Sequence, residues 1–306
     1  MTVRWRLRTV DLRGGVRKDI RDGFRVAPRQ ERCYSPPPLI GGFDPGALGD
    51  TLEGNMCNLT DHGGETRYKV LVLPPGGLSG EALQRTLQVM SRQMDSFRLS
   101  GQSENRETIE LTCYEGAQRL ARLQIGREGL GIETDCNEKV SVPHLRWHDW
   151  LGQFGKAADA AELQPANMAV IALVYSFYFR TPRGNCYEWL LSKLAAESKL
   201  RQMLGDSEVV DFQITLQARS EQGIGARLYL ELDSNLTERE IVAGDYSDER
   251  NRGIVRCHHA ITDIKATSEF SGETCFSSVL ARQEQLLSNW IVQDVLPIMA
   301  TLVPAP

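Results

Sequence analysis

Hydrophobic and polar positions along this chain divide it into short strands and amphipathic helices. The least polar stretch is 166–180, in which Met168 to Phe179 carries no formal charge. It is too short to cross a bilayer as a helix, which takes about 20 apolar residues. Val170, Ile171, Val174, Tyr175, Phe177, Tyr178 and Phe179 are β-branched or aromatic, so the run reads as a central strand covered on both faces.

Upstream, Tyr68–Leu73 reads as a strand closed by Pro74-Pro75-Gly76-Gly77. Ser79 then caps a helix whose apolar stripe is Leu83, Leu87, Met90, Met94 and Phe97. Strands follow at Glu107–Tyr114, Arg119–Ile125 and Gly129–Thr134, joined by hairpin turns at 115–117 and 126–128. Pro143 opens a helix to about Glu162 with Trp147, Trp150, Leu151 and Phe154 on one side. Downstream of the central strand come a helix at 186–204 and strands at 210–218, 226–233 and 254–264. A long final helix covers about 276–302, with a kink expected before Pro297. Strand, helix, three strands and helix therefore occur twice. The expectation is an α+β fold of two related half-units, 67–163 and 164–306, each mainly antiparallel sheet with packed helices.

Residues 1–66 break this pattern. Thr2–Val10 alternates apolar and basic residues like a strand with one buried face, and Gly, Pro and polar breakers follow through Gly64. The reading is an extended basic, Pro/Gly-rich arm whose breakers form loops and which docks on the body or on a partner. Charge sharpens the contrast. Residues 1–33 hold six more bases than acids, so a chain of net charge −5 has a body near −11. Arg4, Arg6 and Arg8 share one strand face with Trp5 on the other, and Arg13 and Arg17 extend the basic set. Such a row suits phosphates or an acidic protein surface. The seven scattered cysteines contain no C-x-x-C pair, and no apolar leader follows Met1, so reduced thiols in a cytoplasmic protein are expected.

Candidate chemistry is sparse. His144 and His148 stand at i and i+4 of one helix, a metal-compatible spacing, but no Glu follows His144. Cys136 and Asp149 are the nearest further ligands, and the His148-Asp149 dipeptide lacks the partner ligands of a metal-dependent phosphohydrolase. Cys257 and His259 fall on one face of a strand, with Arg256 and His258 on the other. Pro75-Gly-Gly-Leu-Ser-Gly80 precedes a helix, as an anion-binding turn or simply as its cap. There is no phosphate-binding P-loop, nucleophile elbow or dinucleotide fingerprint.

The run Leu123-Gln-Ile-Gly-Arg-Glu-Gly-Leu-Gly-Ile132, the helix start His144-Leu-Arg-Trp-His-Asp-Trp150, the strand end Tyr175-Ser-Phe-Tyr-Phe-Arg180 and Leu230-Glu-Leu-Asp233 resemble a sporadically distributed bacterial family of α+β proteins. That family has no established function. The resemblance implies a fold and no site residues, and the long arm departs from it. The sequence reading is thus a non-enzymatic subunit or adaptor without cofactor, using its arm and sheet edges such as 226–233. Its expected partners are other protein subunits or a second copy, with no membrane. Nucleic-acid binding through residues 1–33, or hydrolysis that is metal-dependent at His144 and His148 or uses His259 with Cys257 as a catalytic pair, are the alternatives, with a buried, carbonyl-bonded His259 as the plainer reading.

Overall fold

A computed structural model describes residues 2–10, 17–25, 66–102, 108–135, 142–180, 184–195, 208–217, 225–234, 236–244, 246, 251–270 and 272–297. The described strands are β1 Thr2–Val10, β2 Arg17–Arg25, β3 Thr66–Leu73, β4 Arg98–Gln102, β5 Thr108–Glu115, β6 Gln118–Gly126, β7 Leu130–Thr134, β8 Val170–Arg180, β9 Glu208–Gln217, β10 Ala226–Ser234 and β11 Arg252–Ile261. The helices are α1 Gly80–Gln93, α2 Val142–Ala160, α3 Cys186–Ala195, α4 Glu238–Ala243 and α5 Phe276–Trp290. All eleven strands join in one sheet, ordered β2-β1-β9-β10-β11-β8-β3-β7-β6-β5-β4, and every pairing is antiparallel.

The fold is α+β, and its two halves share a plan. In the first, β3 leads through α1 to the outer strand β4, and β5, β6 and β7 step back until β7 lies beside β3. In the second, β8 leads through α3 to β9, and β10 and β11 step back until β11 lies beside β8. The halves meet where β3 pairs with β8, from Thr66↔Phe177 to Leu73↔Val170. They therefore share one sheet. The first half has a strand more than its sequence pattern shows, because Arg98–Gln102 lacks alternation and carries a bulge between Leu99 and Gly101.

Strands β3 and β10 bury alternate residues, as does β11 from Val255 on. Tyr68, Val70 and Val72 of β3, Ile171, Leu173, Tyr175, Phe177 and Phe179 of β8, and Val255, Cys257, His259 and Ile261 of β11 form the helix-covered face with β10's Leu228, Leu230 and Leu232. Against it pack Met90, Trp147, Trp150, Leu151, Phe154, Leu190, Leu191, Val279, Leu280 and Leu287. Of the predicted helix stripe, Met90, Met94 and Phe97 are buried and Leu83 and Leu87 partly buried, with Phe97 beyond the end of α1 and set edge-on against Trp150.

Local signals placed most ends correctly. Ser79 Oγ accepts from Ala82 N, and Gly76 and Gly77 adopt positive φ, so 75–80 is a turn that feeds α1. Leu78 N donates to Arg127 O at 2.7 Å, which ties that turn to the β6–β7 hairpin. The expected kink before Pro297 is a π-helical turn at Ile291–Val295. The six-residue α4, capped by Thr237 and Glu240 in a capping box, escaped the periodicity because it is too short to show any.

Two expectations about the edges need correcting. Strand 226–233 is interior, hydrogen-bonded to β9 on one side and β11 on the other, so no partner can add there. The arm is extended, but its second described stretch, Arg17–Arg25, is a strand and not a loop. Mixed charges hid that strand, since Ile20 and Phe24 are the only large apolar residues in it. Residues 11–16 and 26–65, with Arg13 and most of the predicted breakers, lie outside the described residues.

Close packing between α2 and α5 depends on Gly155. A Cβ there would stand 2.8 Å from Ser277 Cα. Gly155→Leu is expected to wedge the helices apart and cost about 1–3 kcal/mol, read as a lower urea midpoint at unchanged slope.

Candidate binding face

The helices lie on one face of the sheet. The other face carries, among the described residues, no packed helix, and it is where charged and polar side chains collect. Strand register orders them into rows. One runs Arg25, Thr2, Gln217, Tyr229, His258, Val174, Lys69, Glu133, Arg122, Thr112 and Arg98 across all eleven strands. A neighbouring row runs Gly23, Arg4, Thr215, Glu231, Arg256, Ser176 and Arg67. Directly opposed residues on antiparallel strands share a face. Arg4, Arg6 and Arg8 of β1 are thereby placed on the same face as Glu231 and Arg256, with Arg21 opposite Arg6. Trp5 belongs to the other face, aligned with Ile214, Leu232 and Val255.

Two clusters give the uncovered face its electrostatics. In the first half, Glu133 accepts from Arg67 at 3.1 Å and Arg122 at 3.0 Å, with Lys69 Nζ at 3.7 Å. Burial opposes ionisation of Glu133, but Lys69, Arg122 and Arg67 outweigh it and hold its pKa below the usual carboxylate range. In the second half, His258 stacks on Tyr229 with ring centroids 4.2 Å apart, and its Nε2 lies 3.2 Å from Glu231 Oε2. Arg256 reaches Asp233 at 2.8 Å. The hydrogen bond from His258 leads in lowering the Glu231 pKa, against partial burial. In these two clusters Glu133, Glu231 and Asp233 each have cationic partners, whereas β1 and β2 together carry five more bases than acids.

The histidines foreseen as chemical candidates fall elsewhere. His148 is half exposed on α2, and its Nδ1 lies 2.9 Å from Glu284 Oε1. That same oxygen accepts from the Tyr175 hydroxyl at 2.8 Å, and Trp147 Nε1 donates to Tyr175 at 3.0 Å. Tyr68 stacks on Trp147 and meets Tyr175 edge-on. Burial first, and then the charge and hydrogen bond of Glu284, push the Tyr175 pKa well above that of a free phenol, so it stays a donor. This chain clamps α2 and α5 onto the β3–β8 seam. The side chain of His144 lies outside the described residues, as does Cys136, Asp149 is exposed, and no cluster of three metal-ligating residues occurs among the described residues.

His259 and Cys257 are buried side by side on the helix-covered face, as their alternation predicts. Burial lowers the His259 pKa to about 4 and raises that of Cys257, which keeps both neutral. A thiolate–imidazolium pair needs the opposite shifts, so the two do not form a nucleophilic couple. Neither His259 ring nitrogen nor Gln283 Oε1 has a hydrogen-bond partner among the described residues, while the Gln283 amide donates to the carbonyls of Ile171 and His259. Sequence alternation located this histidine but could not reveal its lack of a partner.

No family model matches the chain, and no curated protein matches it. Among solved structures it is similar to a rolling circle replication initiator protein from Geobacillus stearothermophilus. Identity is 8%, coverage is 74% of this chain and 78% of that one, and the TM-score is 0.26. At that score the likeness carries no argument. No helix among the described residues is long and apolar enough to cross a membrane.

Two outcomes follow from these clusters. Tyr175→Phe leaves Trp147 Nε1 and Glu284 each short of a partner and should cost about 1–3 kcal/mol in urea unfolding. For His259, the unfolded chain binds the extra proton between its ordinary pKa of 6.5 and the folded value of about 4. Stability should therefore be full above pH 6.5 and fall by about 3 kcal/mol as pH drops through that window. His259→Leu should flatten this part of the pH profile.

Proposed function

We propose that this chain is a non-enzymatic subunit of a protein assembly that binds an acidic, extended segment of its partner along the free edge of β2. The observation that carries this reading is the position of Arg17–Arg25. It is a nine-residue strand at the end of the sheet order, paired to β1 on one side only among the described residues. Such an edge offers a row of backbone donors and acceptors to an added strand. Arg17, Lys18, Arg21 and Arg25 against Asp19 and Asp22 make it net basic. A second copy of the same edge is repelled by that charge, and an acidic strand is attracted.

The register adds to this. Arg4, Arg6 and Arg8 alternate along β1, and Arg6 pairs in register with Arg21 of β2, which supports a basic row next to the edge. Arg13 extends the basic set in the sequence. The rest of the chain, with a net charge near −11, repels a polyanion, which needs a continuous basic track, and this favours a protein partner.

The test is recovery of tagged full-length protein from its native host, analysed by mass spectrometry and by the 260/280 nm absorbance ratio. A stoichiometric protein partner, retained by the wild type and lost from Arg17→Glu/Arg21→Glu/Arg25→Glu, is the expected result. A monomer without a partner would overturn it. A nucleic-acid-like ratio that disappears in Arg4→Ala/Arg6→Ala/Arg8→Ala would transfer the arm's role to nucleic acid.

A further inference from the structure

The uncovered face contains a cleft of about 180 Å³ in the first half, lined by Lys69, Leu71, Leu73, Arg122, Gln124 and the glycines of β7 and its turn. We propose that this cleft is a binding site for a small organic carboxylate with a short apolar body.

Glycines make the space. One row of the face reads Ala260, Ala172, Leu71, Gly131 and Gln124 from the second half into the first. Gly131 forms the floor between Leu71 and Gln124, and a Cβ there would lie 2.6 Å from the Val70 carbonyl oxygen. Gly129 is equally confined, 2.4 Å from the Val72 oxygen. Backbone proximity thus forbids side chains where a flat sheet would have them, and the missing side chains open a trough. Leu71 and Leu73 give it one apolar wall.

Charge gives the trough a direction. At one end Lys69 and Arg122 flank Glu133, which shares its two oxygens among them and Arg67. Lys69 makes only the long 3.7 Å contact there, and its side chain is 43% exposed. Arg122 donates through Nη2 to Glu133, while its buried Nε has no hydrogen-bond partner among the described residues. The Oγ1 of Thr112, opposite Arg122 in the register, is also buried and unpartnered. The Arg122 side chain is 32% exposed beside that of Lys69, and the exposed parts of the two cations together offer charge-assisted hydrogen bonds to a bound carboxylate. At the other end Glu128 lines the cleft and repels an anion. The carboxylate is therefore held at Lys69 and Arg122, and the apolar body lies over Gly131 against Leu71 and Leu73. Sites of this kind combine a mostly apolar wall with a few placed polar groups.

Calorimetric titration of the full chain with hexanoate, and with 1-hexanol as its uncharged counterpart, tests the site. Saturable binding of hexanoate at least tenfold tighter than hexanol is expected, with Lys69→Gln and Arg122→Gln each weakening it about tenfold and Leu71→Glu abolishing it. Equal binding of acid and alcohol, or unchanged hexanoate affinity in Lys69→Gln, would overturn the proposal. Lys69 makes one long surface contact, so that variant keeps the test decisive even if Arg122→Gln fails to fold. The outcome is independent of any partner at β2, which lies at the far end of the sheet.

Discussion

The structure depends on the antiparallel pairing of β3 with β8. Eight residue pairs join Thr66–Leu73 to Val170–Phe177, and without them the halves would expose two edge strands, β3 and β8, each rich in β-branched and aromatic residues. The seam is also where the core's polar groups are placed. Tyr68 and Tyr175 face each other directly in the register, and the Tyr175 hydroxyl is buried, so it needs partners supplied by the helices. Trp147 of α2 donates to it and Glu284 of α5 accepts from it. A buried hydroxyl left alone costs more than a matched one gains, so this triad selects one seating of α2 and α5 on the seam.

From that seating follows the one-sidedness of the molecule. The halves meet strand to strand, and the described helices of both pack on the same face, α2 against α5 over the middle. Asp159 of α2 reinforces this by accepting from Ser277 N at 3.1 Å and Ser277 Oγ at 2.6 Å at the start of α5. Most large apolar side chains of the strands lie on the covered face. The opposite face carries most of the charged residues of the described strands, interspersed with Val174, Leu71 and Leu73, and strand register sorts them into rows.

Much of this was legible in the chain. The helix-and-strand order, the turn at 75–80, the hairpins at 115–117 and 126–128, and the covered side of β11 all follow from period and turn chemistry, because each is decided within a few residues. Three kinds of feature were not. Strand order is non-local, so 226–233, with its clean alternation, looked like an edge although β9 and β11 enclose it. Strands poor in apolar residues, Arg17–Arg25 and Arg98–Gln102, carry no periodic signal and are held by neighbours' hydrogen bonds. The Tyr175–Glu284–His148 chain joins residues more than a hundred positions apart, and His148 alone suggested a metal ligand because its partner on α5 could not be foreseen.

The two outer edges of the sheet show how differently a fold can end itself. β4 is five residues long and bulged, and its Leu99 is 70% exposed, so it presents few regular backbone groups for pairing. β2 is nine residues long, and nothing in its nine-pair register with β1 interrupts the ladder. Among the described residues its charge is what limits pairing. A basic edge resists a second basic edge but not an acidic strand, so it discriminates between partners where a bulge would exclude all of them. The bulge and the basic strand are thus two different ways of limiting what can pair with a sheet edge, one by breaking the ladder and one by charge.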